Sequence, residues 1–133
     1  MIGYDDIEFA SLTDVGVRRS HNQDCYASLP ASDLEQYQAR GHFFLVADGM
    51  GAHAVGELAS KLAAASIPHI YCKHAQEGPS AALHIAFVEA NQHIHNRGQA
   101  NREFEGMGTT ATGIVLRPEG AWVGHVGDSR AYR

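Results

Sequence analysis

Three aspartates stand at the borders of apolar runs. Asp48 closes "HFFLVAD", Asp24 opens "DCYASL" after the polar "RRSHNQ", and Asp128 follows "AWVGHVG". Strand ends deliver side chains to one rim of a sheet, and carboxylates gathered there repel unless a cation neutralises them. An oxygen-only set without cysteine suits a hard ion, Mg²⁺ or Mn²⁺. Gly49 and Gly51 flank the acid with no side-chain bulk, which leaves room for an ion and a phosphate, and a bare glycine carbonyl can itself be a ligand. Taken singly, each aspartate has an ordinary alternative as a turn residue or helix N-cap.

Other side chains could join them. His53 lies five residues beyond Asp48 in the same small-residue loop and is a candidate acid or substrate contact. Arg18 or Arg19, just before Asn22-Gln23-Asp24, could hold a phosphate as a bidentate fork, or the two could be an ordinary surface pair. "GMGAHAVGE" invites a nucleotide-binding reading, but it lacks Gly-Lys-Ser/Thr and does not fit G-x-G-x-x-G. His84, His93 and His95 fall on a predicted helix, and His69 and His74 near a helix end; all five read as solvated or structural.

The elements that must position these groups follow from pattern. "IEFASLTDVG" (residues 7–16) begins strand-like, and Asp24 to Leu29 is a second short strand. Residues 30–41 read as a polar loop with a helical turn. "HFFLVAD" is long enough for a strand buried on both faces and too short for a helix. Val55, Leu58, Ala59, Leu62 and Ala63 share one helical face, and Pro68 should kink or end that helix. A second helix follows with Ser80 as its N-cap and Leu83, Phe87, Ala90 and Ile94 at helical spacing. Thr109–Leu116 and Ala121–Val126 flank the turn "RPEG" as a hairpin. "GDSRAYR" resembles the start of a further strand. The order of strands, two helices, then strands indicates an α+β layered fold with a mainly antiparallel sheet.

Bulk properties exclude several classes. The chain has 133 residues, 44% hydrophobic and 19% charged, which is globular composition. The formal net charge of −5 argues against nucleic acid or an anionic membrane as partner. No apolar run is long enough to span a bilayer and no signal sequence is visible, so the expected setting is cytoplasmic. Cys25 and Cys72 form no metal or redox motif and are read as reduced and structural.

Four stretches, "SLTDVGVRRSHNQD", "FFLVADGMGAHAVGE", "GMGTTAT" and "VGHVGDSRAY", occur in this order. Together they resemble the metal-dependent Ser/Thr protein phosphatases, the PPM or type 2C family, in their bacterial form. The resemblance implies an α-β-β-α sandwich of two antiparallel sheets flanked by helices. It implies hydrolysis of phosphoserine and phosphothreonine in proteins by a metal-bridging hydroxide, with two Mn²⁺ or Mg²⁺ ions and a possible third. Asp48 would bridge two ions and the Gly49 carbonyl would help bind one. Asp24 would act through metal-bound water or touch the metal directly. Asp128 would hold the third ion, Arg19 would grip the phosphate, and His53 matches the histidine of the bacterial "DGMGGH" motif. Partners would be phosphorylated proteins, with a Ser/Thr kinase and its targets as the natural counterpart.

The chain departs from the family at several points. Gln23 stands where many members carry glutamate, and Ala52 replaces a common glycine. The family's two further metal-binding aspartates, in later "DG" and "DN" motifs, have no counterpart here. Residues 1–133 are therefore expected to be the N-terminal portion of one phosphatase domain, inactive by itself, with apolar surface and strand edges uncovered. The alternative is a non-catalytic relative that binds phosphoproteins or regulates a partner. A nucleotide-binding module is the third reading.

Overall fold

The β2 strand, His42–Met50, sorts its side chains by alternation. Phe43, Leu45 and Ala47 point to one face and are at most 2% exposed, whereas Val46 on the other is 48% exposed. The computed structural model describes residues 3–17, 22–51 and 55–132, and within them β2 is central. It pairs antiparallel with β1 (Asp24–Leu29) on one side and with β4 (Ala111–Arg117) on the other. The two-residue β3 (Gly108–Thr109) continues along the far end of β2. A tight hairpin then leads to β5 (Gly120–Val126), the second edge of a five-stranded sheet ordered β1-β2-β4-β5. The hairpin over "RPEG" and the antiparallel sheet match expectation.

Two long helices cover one face. The α2 helix, Val55–His74, and the α3 helix, Pro79–Ala100, pack on the sheet and on each other. The core joins Phe43, Leu45 and Val115 of the sheet to Ala63, Ile67, Tyr71, Ala82, Leu83 and Ala86 of the helices. Phe43 and Tyr71 pack as a tilted ring pair with centroids 5.0 Å apart. A short helix, α1 (Leu34–Ala39), closes one end of the sheet. Asp33 caps it by accepting the Gln36 amide at 2.8 Å. Buried His42 accepts the Ala31 amide through Nδ1 at 2.9 Å and lies against Tyr37.

Several sequence expectations are corrected. Residues 7–16 form no strand; Phe9 instead lays its ring against Phe44, 4.9 Å between centroids. The β2 strand is buried on its helix-facing side alone. Tyr26 of β1 and Val123 of β5 are 43% and 55% exposed, so the opposite face of the sheet stays largely open. The α2 helix continues through Pro68, which is buried, to His74. Of the expected face, Ala59 and Ala63 are buried while Val55, Leu58 and Leu62 are only partly so; Gly56, Ser60 and Ile67 complete the buried line. Small residues win there because the helix sits so close to β2 that larger ones must flank the contact. Gly78, not Ser80, caps α3, since Pro79 occupies the first helical position, where its missing N–H costs nothing. Residues 127–132 add no strand.

Candidate functional site

Asp24 and Asp48 are register partners across β1 and β2. Directly opposed residues point the same way, with Cβ atoms about 4.5–5.5 Å apart. Both are exposed on the open face of the sheet. Like charges placed opposite destabilise a strand pair unless something offsets them. The two carboxylates line a cavity of about 340 Å³ together with Leu12, Thr13, Asp14 and Ser129. Asp14 was not singled out from sequence; its carboxylate also accepts the Gly16 amide at 2.8 Å, which makes it a turn residue as well.

Asp48 lies two residues before the end of β2 and is held through its backbone. Its amide donates to Thr110 Oγ1 at 3.0 Å, and its carbonyl accepts the Thr110 amide at 2.9 Å. Thr110 Oγ1 in turn shares a hydrogen bond of 2.9 Å with Ser129 Oγ. Asp128 is exposed on the turn just beyond β5, after Gly127, whose φ is +103°. It does not line the cavity; its neighbour Ser129 does.

The small residues around Asp48 have a structural use that the sequence did not separate from a ligand-binding one. Gly49 is buried, and a Cβ there would lie 1.8 Å from the Gly56 carbonyl oxygen. The strand end and the first turn of α2 thus meet backbone to backbone. Gln23 ties the same corner: its carbonyl accepts the Gly49 amide at 2.8 Å, and its side-chain amide donates to the Gly51 carbonyl at 3.0 Å. A glutamate could not make that last bond, so glutamine here exchanges a charge for a loop contact.

Arg19 and His53 lie outside the described residues, as do Arg18 and Ala52. His84, His93 and His95 are exposed along α3. Cys25 and Cys72 are both free thiols, and burial pushes the Cys72 thiol up. Thr110 and Ser129 were legible only as letters within "GMGTTAT" and "GDSR"; nothing in their spacing announced that they meet.

The donor chemistry fits a hard cation in part. Two opposed carboxylates offer oxygen ligands of the right kind. Among the described residues, however, no group of three or more His, Cys, Asp or Glu side chains is placed to hold a metal ion. Two carboxylates alone leave most of the coordination positions of such an ion to other donors.

A model of the protein phosphatase 2C family matches residues 11–132. The chain belongs to that family. It is 32% identical over 126 residues to the serine/threonine protein phosphatase PstP of Mycobacterium tuberculosis, covering 95% of this chain and 22% of that protein. It is 33% identical over 130 residues to the protein phosphatase PhpP of Streptococcus pneumoniae, covering 93% of this chain and 49% of that one. Less than half of either relative is therefore represented here. The crystal structure of M. tuberculosis PstP superposes with a TM-score of 0.70 at 32% identity, over 91% of this chain and 47% of that one. A PstP catalytic domain in complex with two manganese ions superposes with a TM-score of 0.65 at 29% identity, over 91% of this chain and 48% of that one. Among the described residues, no helix is long and apolar enough to cross a membrane.

Proposed function

We propose that this chain is the N-terminal half of a metal-dependent protein phosphatase domain acting on phosphoserine and phosphothreonine. The observation that carries the reading is the opposition of Asp24 and Asp48 at one rim of the sheet, in a chain of the 2C family. The manganese pair in the PstP catalytic domain supports two divalent ions as the cofactor. In this reading they are Mn²⁺ or Mg²⁺, and Asp128 is the candidate ligand for a third. When bound, such ions activate water as a nucleophile at neutral pH and offset charge on phosphoryl oxygens.

The chain's own residues have narrower tasks. Asp48 presents a carboxylate from a backbone fixed at both its amide and its carbonyl by Thr110. Asp24 faces it from β1 and would hold a cation directly or through water. The Gly49 carbonyl is a further candidate ligand. Arg19 binds the substrate phosphate as a fork, and His53 supplies a proton to the leaving oxygen. The uncovered sheet face, with Tyr26, Val46 and Val123 exposed, is where the second sheet of an α-β-β-α sandwich would pack. That second half would also bring the missing carboxylates.

The substrates in this reading are phosphorylated proteins, with a Ser/Thr kinase and its targets as the natural counterpart, and the setting is cytoplasmic. The test is hydrolysis of a phosphothreonine peptide with Mn²⁺ and with the metal chelated. The full-length protein should turn over only with metal, and Asp48→Asn should abolish turnover. The 133-residue chain alone should show none. Turnover of the full-length protein that survives chelation, or that persists in Asp48→Asn, would refute the assignment.

A further inference from the structure

Thr110 touches two parts of the rim at once. It is 4% exposed, and its amide, carbonyl and hydroxyl are all engaged. On one side its hydroxyl accepts the Asp48 amide and its amide donates to the Asp48 carbonyl. On the other, its hydroxyl meets Ser129 Oγ. Gly127 presses on it as well: a Cβ at that glycine would lie 2.5 Å from Thr110 Cγ2. One buried side chain therefore joins the strand that carries Asp48 to the turn that carries Asp128.

The residue type is specific to this task. A hydroxyl that accepts the Asp48 N–H keeps its own hydrogen and a second lone pair for Ser129. Valine has the same branched shape and no polar atom. It would leave the Asp48 amide and the Ser129 hydroxyl without this partner and would remove the link between them. Serine keeps the hydroxyl and loses only the methyl that Gly127 packs against.

We propose that Thr110 is a positioning residue that couples Asp48 to the 127–129 turn through its hydroxyl, so that the two carboxylates are set relative to each other by one buried contact. A divalent cation held at Asp48 would then feel the state of the turn that carries Asp128. The coupling stands on the hydrogen bonds alone; its consequence for metal rests on the phosphatase reading above.

The test uses Thr110→Val, Thr110→Ser and Ser129→Ala in the full-length protein, with two readouts. The first, without metal, is amide exchange at Asp48 and backbone order parameters over residues 127–129. The second is paramagnetic broadening during titration with Mn²⁺. Thr110→Val should speed exchange of the Asp48 amide about tenfold or more. It should also lower the order parameters of the turn toward the flexible range, below about 0.6. Its Mn²⁺ affinity should fall about tenfold, and Thr110→Ser should restore all three. Ser129→Ala should loosen the turn while leaving the Asp48 amide protected, and should weaken Mn²⁺ binding less. The proposal is overturned if Thr110→Val leaves the turn as rigid as in the parent, or if Thr110→Ser behaves like Thr110→Val. If Thr110→Val does not fold, Ser129→Ala decides: an unchanged turn refutes the coupling. Absence of Mn²⁺ broadening near Asp48 in the parent would refute the metal reading, and the first readout would still decide the coupling.

Discussion

Replacing Gly49 by alanine isolates what the small residues after Asp48 do for the fold. The position lies inside β2, with a backbone conformation that alanine can adopt, so the cost is purely one of contact. The added Cβ would meet the Gly56 carbonyl oxygen at 1.8 Å, its carbon at 2.5 Å and the Gln23 carbonyl oxygen at 2.9 Å. Ordinary contact begins near 3.4 Å, so the first turn of α2 must retreat by more than an ångström. All three atoms are backbone, and no rotamer change relieves them. Overpacking typically costs 1–3 kcal/mol, and with backbone on both sides about 3 kcal/mol is expected. For a chain of this size that lowers the melting temperature by about 10 °C. Gly113→Ala is the control. Its Cβ would approach the ends of the Leu45 and Phe43 side chains, both at 3.3 Å, which can yield by a few tenths of an ångström. It should cost less than about 1 kcal/mol. Thermal and urea denaturation of both variants decide the matter. A Gly49→Ala protein that melts within about 2 °C of the parent would show that strand and helix do not meet backbone to backbone.

Other perturbations test separate parts of the structure. Asp48→Asn should leave the urea midpoint unchanged or slightly raised, because it removes one of two opposed carboxylates, while metal-dependent turnover is lost; a large destabilisation would refute the exposed placement of Asp48. Tyr71 is buried and donates its hydroxyl to the Arg40 carbonyl at 2.6 Å, and burial pushes its pKa up to about 12. The folded state therefore holds that proton more tightly than the unfolded state, so its stabilisation is complete below about pH 10 and is lost as pH rises toward 12. Tyr71→Phe should cost about 1 kcal/mol at neutral pH and should flatten the decline in stability between about pH 10 and pH 12, read by urea midpoints. Asp33→Ala removes the cap of α1 and should cost about 1 kcal/mol, a loss that Asp33→Asn or Asp33→Ser should largely avoid.

Much of this chain was written in local pattern. The β1 strand, the "RPEG" hairpin and the two long helices follow from periodicity and turn chemistry, because those signals act over a few residues. The candidate acids Asp24, Asp48 and Asp128 stood out for the same reason, as each interrupts or borders an apolar run, and ordered motifs carried the family. Contacts between distant segments were not legible. Residues 7–16 opened with the letters of a strand, yet they pair with no strand and Phe9 lies on Phe44. Proline at position 68 predicted a kink or an end; the helix does not end there, because a long helix packed on a sheet tolerates one missing hydrogen bond when its flanking residues are buried. The leucines of α2 looked like its core face; the proximity of Gly49 to Gly56 turned the small-residue side inward instead. The pairing of Asp24 with Asp48 depends on strand register, and the bridge from Asp48 through Thr110 to Ser129 spans most of the chain. Sequence could supply those groups; only the sheet, by fixing which backbone lies beside which, could bring them together.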